Sequence, residues 1–195
     1  TTKFTATESA EAFNYMAMAG WKPQQMIDGI SGIMSLAAAS GEDLGTTSDI
    51  VTDALTAFGL QAGDAGHFAD VLAQASANAN TNVSMLGESF KYVAPVAGAM
   101  NYSVEDTSLA LGLMANASIK GSMAGTALKT SLANMAAPTD SMAAAMDKYG
   151  ISLTDSEGNM KSLRGVIDNL RGSLGGLSET EQTAAASPIF GKEAM

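Results

Sequence analysis

The chain has no cysteine, which excludes a disulfide framework and any thiolate metal site and leaves the redox compartment open. It has a single histidine, His67, so a histidine-rich metal centre or a Ser-His-Asp triad has almost nothing to draw on. Aromatic residues are 6% of 195, although 46% of the chain is hydrophobic. Ala, Gly and Met therefore carry much of the apolar count. Side chains that small bury little area each, at about 25 cal/mol per Å², and a core built from them gains by close helix approach. Positive charge is scarce too: 10 basic residues against 20 acidic ones give a net charge of −10. That balance opposes electrostatic binding to nucleic-acid phosphates and anionic lipid, and sequence-specific nucleic-acid binding is not expected. Long apolar runs are missing. Residues 29–41 are uncharged but too short to span a bilayer, and residues 71–87 are interrupted by Asn and Gln.

What the chain does have is a block that returns three times, as Leu36-Ala-Ala-Ala-Ser40, Leu72-Ala-Gln-Ala-Ser76 and Met114-Ala-Asn-Ala-Ser118. Its starts lie 36 and then 42 residues apart, the range of helical-hairpin repeats. Each copy follows an entry turn: Gly20-Trp-Lys-Pro23, Gly59-Leu-Gln-Ala62 and Met100-Asn-Tyr-Ser103. The pattern predicts an all-α fold, a multi-helix array of short helical hairpins made for stacking.

Local signals place the helices. Thr5 and Glu8 have the spacing of a capping box ahead of a first helix that ends at Gly20. Pro23 suits the first turn of a second helix over 24–40, which Gly29, Ser31 and Gly32 are expected to kink or split. Further helices are predicted over 46–58, with Gly59 closing it, and over 64–77, 83–98, 103–117 and 122–136. After Pro138 the character changes. A short helix over 141–149 stops at Gly150, and residues 151–161 read as a small β-hairpin with its turn at Asp155-Ser-Glu-Gly158. Helices follow over 162–174 and from Ser178. This gives a helical-hairpin repeat body, 1–137, and a smaller helical tail with a β-hairpin, 138–195. The chain opens on Thr1 without an initiator Met, and Gly191 to Met195 read as the inside of a helix, so a fragment of a longer chain is expected.

Candidate chemistry is thin. His67 with Asp64 and Asp70 on one helix face lacks the further ligands of a metal site. Asp155, Glu157 and Asn159 imitate the start of a calcium loop, but Met160 stands where that loop needs Gly and Val166 where it needs Glu. The glycines of 121–130 lack the Gly-Lys-[Ser/Thr] order of a phosphate loop. The acidic pairs Glu42/Asp43, Glu105/Asp106 and Glu179/Glu181 sit at helix starts, where capping explains them. No catalytic, cofactor-binding or metal residues are assigned, and no enzyme is expected. Gly121/Gly125 and Gly29/Gly32 each share a helix face, suited to close helix packing or to packing within a membrane. The 13 methionines suit an adaptable core or a surface that repacks on its partners.

Longer strings then accumulate in order: Thr5-Ala-Thr-Glu-Ser-Ala-Glu-Ala12, Met16-Ala-Met-Ala-Gly-Trp21, Leu36-Ala-Ala-Ala-Ser-Gly-Glu-Asp-Leu44 and Asp53-Ala-Leu-Thr-Ala-Phe-Gly-Leu60. They continue through Ala69-Asp-Val-Leu-Ala73, Tyr92-Val-Ala-Pro-Val-Ala97, Ile119-Lys-Gly-Ser-Met-Ala-Gly-Thr-Ala-Leu128, Asp155-Ser-Glu-Gly-Asn-Met160 and Ile189-Phe-Gly-Lys-Glu-Ala194. Over nearly its whole length the chain thus resembles the shared core region of phage tail tape measure proteins. The resemblance implies a structural virion protein involved in tail assembly, tail length determination and genome delivery. It implies a place in the tail lumen or tip, and in the host cytoplasm during assembly. The implied partners are other copies of itself, tail tube and tail tip proteins, tail assembly chaperones and, during infection, the host membrane. It carries over no catalytic residues. The alternative is a membrane-perturbing helical module released at infection to help form a DNA passage.

One physical constraint qualifies the resemblance. As a single helix, 195 residues would span about 290 Å at 1.5 Å per residue, and the Gly and Pro breaks forbid that rod. Folded compactly, the same length has a radius of gyration of about 16 Å. This core region is therefore expected to be a compact, repacking module, distinct from the ruler itself, that anchors one end or stretches to pass the tube.

Overall fold

A computed structural model describes residues 3–190 of the chain. Among them the regular elements are ten α-helices and one short 3-10 turn. They are α1 (Ala6–Met18), α2 (Pro23–Ser40), α3 (Leu44–Phe58), α4 (Ala65–Asn78), α5 (Val83–Ala99), α6 (Val104–Asn116), α7 (Gly121–Ala136), α8 (Asp140–Tyr149), α9 (Leu163–Leu174) and α10 (Glu179–Phe190). The 3-10 turn, Ala62–Asp64, leads into α4. The expectation for Gly191 to Met195 lies outside the described residues.

Local chemistry sets the ends. The Thr5 hydroxyl accepts the Glu8 N–H at 3.2 Å while the Glu8 carboxylate accepts the Thr5 N–H at 2.7 Å, a complete capping box for α1. Asp43, Asn82 and Ser103 accept the N–H three residues on and start α3, α5 and α6. Gly41, Gly59 and Gly150 close α2, α3 and α8 in the left-handed region.

The chain divides into two compact units, Thr1–Gly125 and Thr126–Met195. In the first, each helix packs chiefly on the next but one, so that α1–α3–α5 form one layer and α2–α4–α6 the other. Contacts of α2 with α3, α3 with α4 and α4 with α5 join the layers. This is the geometry of stacked helical hairpins, and the three returning blocks all fall at the C-terminal ends of the even-numbered helices. Between the layers Phe68 and Phe90 are fully buried, and their rings meet edge to face with centroids 5.6 Å apart. Phe58 adds a second edge contact to Phe90 at 5.9 Å. Leu36, Leu55, Leu72, Leu86 and Leu111 complete this core.

The second helix runs as one element through Gly29, Ser31 and Gly32, correcting the expected split. Each interior glycine costs a helix about 1 kcal/mol relative to alanine, and packing on another helix supplies the reason to keep Gly32. A Cβ on Gly32 would lie 2.6 Å from the Cα of Gly66, so the backbones of α2 and α4 touch there. Gly125, at the start of α7, meets the Ser89 carbonyl in the same way.

In the second unit α8 packs on α10, and the Asn134 amide donates to the Ile189 carbonyl at 2.9 Å. The expected β-hairpin over 151–161 is absent. The structure has only an isolated antiparallel bridge, Thr154 to Met160. Two backbone bonds flank that bridge, Lys161 N–H to the Leu153 carbonyl at 2.8 Å and Asp155 N–H to the Asn159 carbonyl at 2.9 Å, and side chains then take over. The Asp155 carboxylate accepts the N–H groups of Glu157 and Asn159, both at 2.9 Å, and Asn169 on α9 accepts the Ser152 N–H at 2.9 Å. Ile151 and Leu153 are buried, but Met160 on the return is 47% exposed, so no apolar face pairs across the turn.

Candidate functional surface

The structure takes His67 away from Asp64 and Asp70. Its Nε2 lies 2.5 Å from Glu105 Oε1, and the pair ties α4 to α6. Asp64 instead accepts the Gln61 N–H at 2.8 Å and starts the 3-10 turn. Among the described residues no group of three or more His, Asp or Glu side chains is arranged to hold a metal ion.

Most other acidic residues singled out in the sequence serve helix and turn ends. Asp43 caps α3, Glu181 accepts the Ser178 N–H at 3.0 Å, and Asp155 closes its loop. Their electrostatics follow. The Asn159 N–H, more than any other group, holds the Asp155 carboxyl below the usual carboxylate range. The Ser178 hydroxyl and N–H do the same for Glu181, and the Thr5 N–H and hydroxyl for Glu8. Asp53 is pushed the other way, by burial first and by Asp49 second. The Glu105 carboxyl is lowered chiefly by its own N–H at the start of α6, with His67 adding to it.

A groove of about 450 Å³ runs between α4 and α6. The two helices point the same way along it. His67 meets Glu105 at their N-terminal ends, and at the other end the Asn116 side chain accepts the Asn80 N–H at 2.8 Å. The floor is Val71 and Ala75 from α4 with Leu109, Gly112 and Leu113 from α6. Leu113 is 42% exposed. Ser108 is buried in the wall, and its hydroxyl has no hydrogen-bond partner in the structure. Asp70 and Glu105 stand at the N-terminal end, while Gln74, Asn78 and Asn116 line the other.

Sequence reasoning missed this groove and the His67–Glu105 pair. The signal was the repeat itself: residues 67 and 105 lie 38 apart, one hairpin repeat, and stacked hairpins bring such positions face to face.

The family model described as "Phage-related minor tail protein" matches residues 1–191. The chain is 40% identical to the "Tape measure protein" of Pneumococcus phage Dp-1 over 194 residues, covering 100% of this chain and 17% of that protein. It is 26% identical to the "Probable tape measure protein" of Escherichia phage P2 over 195 residues, covering 99% of this chain and 24% of that one. The chain thus spans a quarter or less of the length of these relatives. No solved structure matches it.

Proposed function

The chain belongs to the phage-related minor tail protein family, and from that premise we propose that it is a folded structural segment of a tape measure protein. In this reading it serves tail assembly, tail length determination and genome delivery, and its role is structural rather than enzymatic. The observation that carries the reading is the similarity to a tape measure protein along the full chain. The proposed setting is the tail lumen or tip, with the host cytoplasm during assembly. The proposed partners are other copies of the chain, tube and tip proteins, and tail assembly chaperones. A body over 1–137 would present the stacked helices, and a tail over 138–195 the looped, polar end. The membrane-perturbing alternative is not favoured. No helix among the described residues is long and apolar enough to cross a membrane, and the relatives are described as tape measure proteins.

The two-layer packing supports a further distinction within this role. Two-layer stacking folds 125 residues back on themselves, so this segment adds little to a ruler's length. The test is an in-frame duplication of the segment within a full-length tape measure gene of a related phage, with tail lengths measured by electron microscopy. A folded module leaves the tail nearly unchanged. Lengthening by about 290 Å, the span of the duplicated residues as helix, would show that the segment measures as a rod.

A further inference from the structure

We propose that the α4–α6 groove is a docking site for an amphipathic helix of a partner protein, one with an apolar stripe and a basic residue at each end. The site does not depend on the tail assignment.

Shape argues first. The lining residues run from His67 to Asn78 on α4 and from Glu105 to Asn116 on α6, about three helical turns or 16 Å at 1.5 Å per residue. Two helices pointing the same way with a trough between them offer a third helix a ridge-into-groove seat. The floor side chains Val71, Ala75, Leu109 and Leu113 recur at i, i+4 on each helix, matching a partner whose apolar residues repeat at the same spacing.

Charge selects the partner. At one end stand the carboxylates of Asp70 and Glu105, one oxygen of Glu105 being engaged by His67 and Asp70 facing the trough. At the other end α4 and α6 terminate side by side, and neither has a basic residue in its last turn. The negative dipole ends of both helices thus meet no cation within the helices themselves, Lys120 standing four residues beyond α6. Both ends of an apolar trough thus favour positive charge, on a chain whose net charge is already −10.

The test uses the whole chain and a fluorescein-labelled model peptide of about eighteen residues, long enough to be helical, with leucines at i, i+4, i+7 and i+11 and lysines at both ends. A second peptide carries glutamates in place of the lysines. Binding is read by fluorescence anisotropy at low salt. The lysine peptide is expected to bind at least about tenfold tighter than the glutamate peptide. Leu113→Glu, at an exposed position, is expected to weaken it by a similar factor with the circular dichroism spectrum unchanged. Asp70→Lys is expected to narrow or invert the preference between the two peptides. Absence of binding by both peptides, or binding that Leu113→Glu leaves intact, overturns the proposal. So does self-association of the chain that Leu113→Glu abolishes while neither peptide binds, because the occupant is then a second copy.

Discussion

The helix α4 has a neighbour on each side within its layer, and it meets the two in opposite ways. Toward α2 the contact is extensive and brings backbone onto backbone at Gly32 and Gly66. Toward α6 the contact is sparser, and a groove lies along the seam. Both neighbours end in copies of the same small-residue block. The difference comes from what stands on the facing sides. Gly32 leaves no side-chain atom where α2 crosses the Gly66 backbone of α4, whereas Val71 and Ala75 face Leu109 and Leu113 across the other seam. A glycine facing a bare stretch of backbone lets helices close completely, while larger side chains opposite one another hold them apart and leave apolar surface to be covered.

The largest effect should come from breaking the closed seam. Gly32→Val places branched carbons into the Gly66 backbone, which cannot swing aside as a side chain tip would. A loss of at least about 3 kcal/mol is expected from overpacking of this kind, seen as a lower midpoint in urea unfolding followed by circular dichroism. The other half of the same contact should behave in the opposite sense. A Cβ on Gly66 meets nothing within 4 Å, so Gly66→Ala should be neutral or stabilising by up to about 1 kcal/mol, through helix propensity. Equal losses at both positions would mean that the seam is not the asymmetric contact described.

This asymmetry also marks what the sequence could and could not show. Features decided within four or five residues were legible: the Thr5–Glu8 box, the acidic capping at Asp43 and the glycine stops at 59 and 150. Gly29 and Gly32 were misread as breaks because their justification lies elsewhere in the chain, in Trp21 and in Gly66. The hairpin over 151–161 failed for the same reason. Two buried apolar residues imitate a strand, but pairing stops at a single bridge, with the Asp155 carboxylate on the Asn159 N–H and Asn169, seventeen residues from Ser152, on the Ser152 N–H. His67 was weighed with neighbours in sequence, and its partner stood one repeat away.

The open seam should respond more weakly, and first to pH. Glu105→Gln removes the bridge between α4 and α6. Its side chain and that of His67 are 49% and 60% exposed, so a loss of about 0.5 kcal/mol is expected at neutral pH, as for surface pairs. The folded-state pKa of Glu105 is depressed, so its contribution is present above the unfolded carboxylate value and lost as the pH falls through the folded one. Thermal unfolding of the two proteins should therefore differ above the carboxylate range and converge in acid, below about pH 4. A difference that persists undiminished in strong acid would assign the stabilisation to some other group.

The smallest effect is expected at Leu113, and its smallness is informative. Truncation to alanine removes a side chain that is 42% exposed and installs the residue with the highest helix propensity, so the two effects nearly cancel, and stability should change by no more than about 0.5 kcal/mol. Leu113→Ala is measured by the same urea titration as Gly32→Val, so the closed and open seams are compared on one scale. A loss of several kcal/mol would mean that the groove is closed in solution and Leu113 belongs to the core. A neutral result leaves a leucine that the fold does not need, lining, beside Gly112, an apolar trough with acidic groups at one end. Its contribution must then be sought in what the trough binds, and a substitution silent in unfolding but damaging in peptide binding separates the two roles in a single variant.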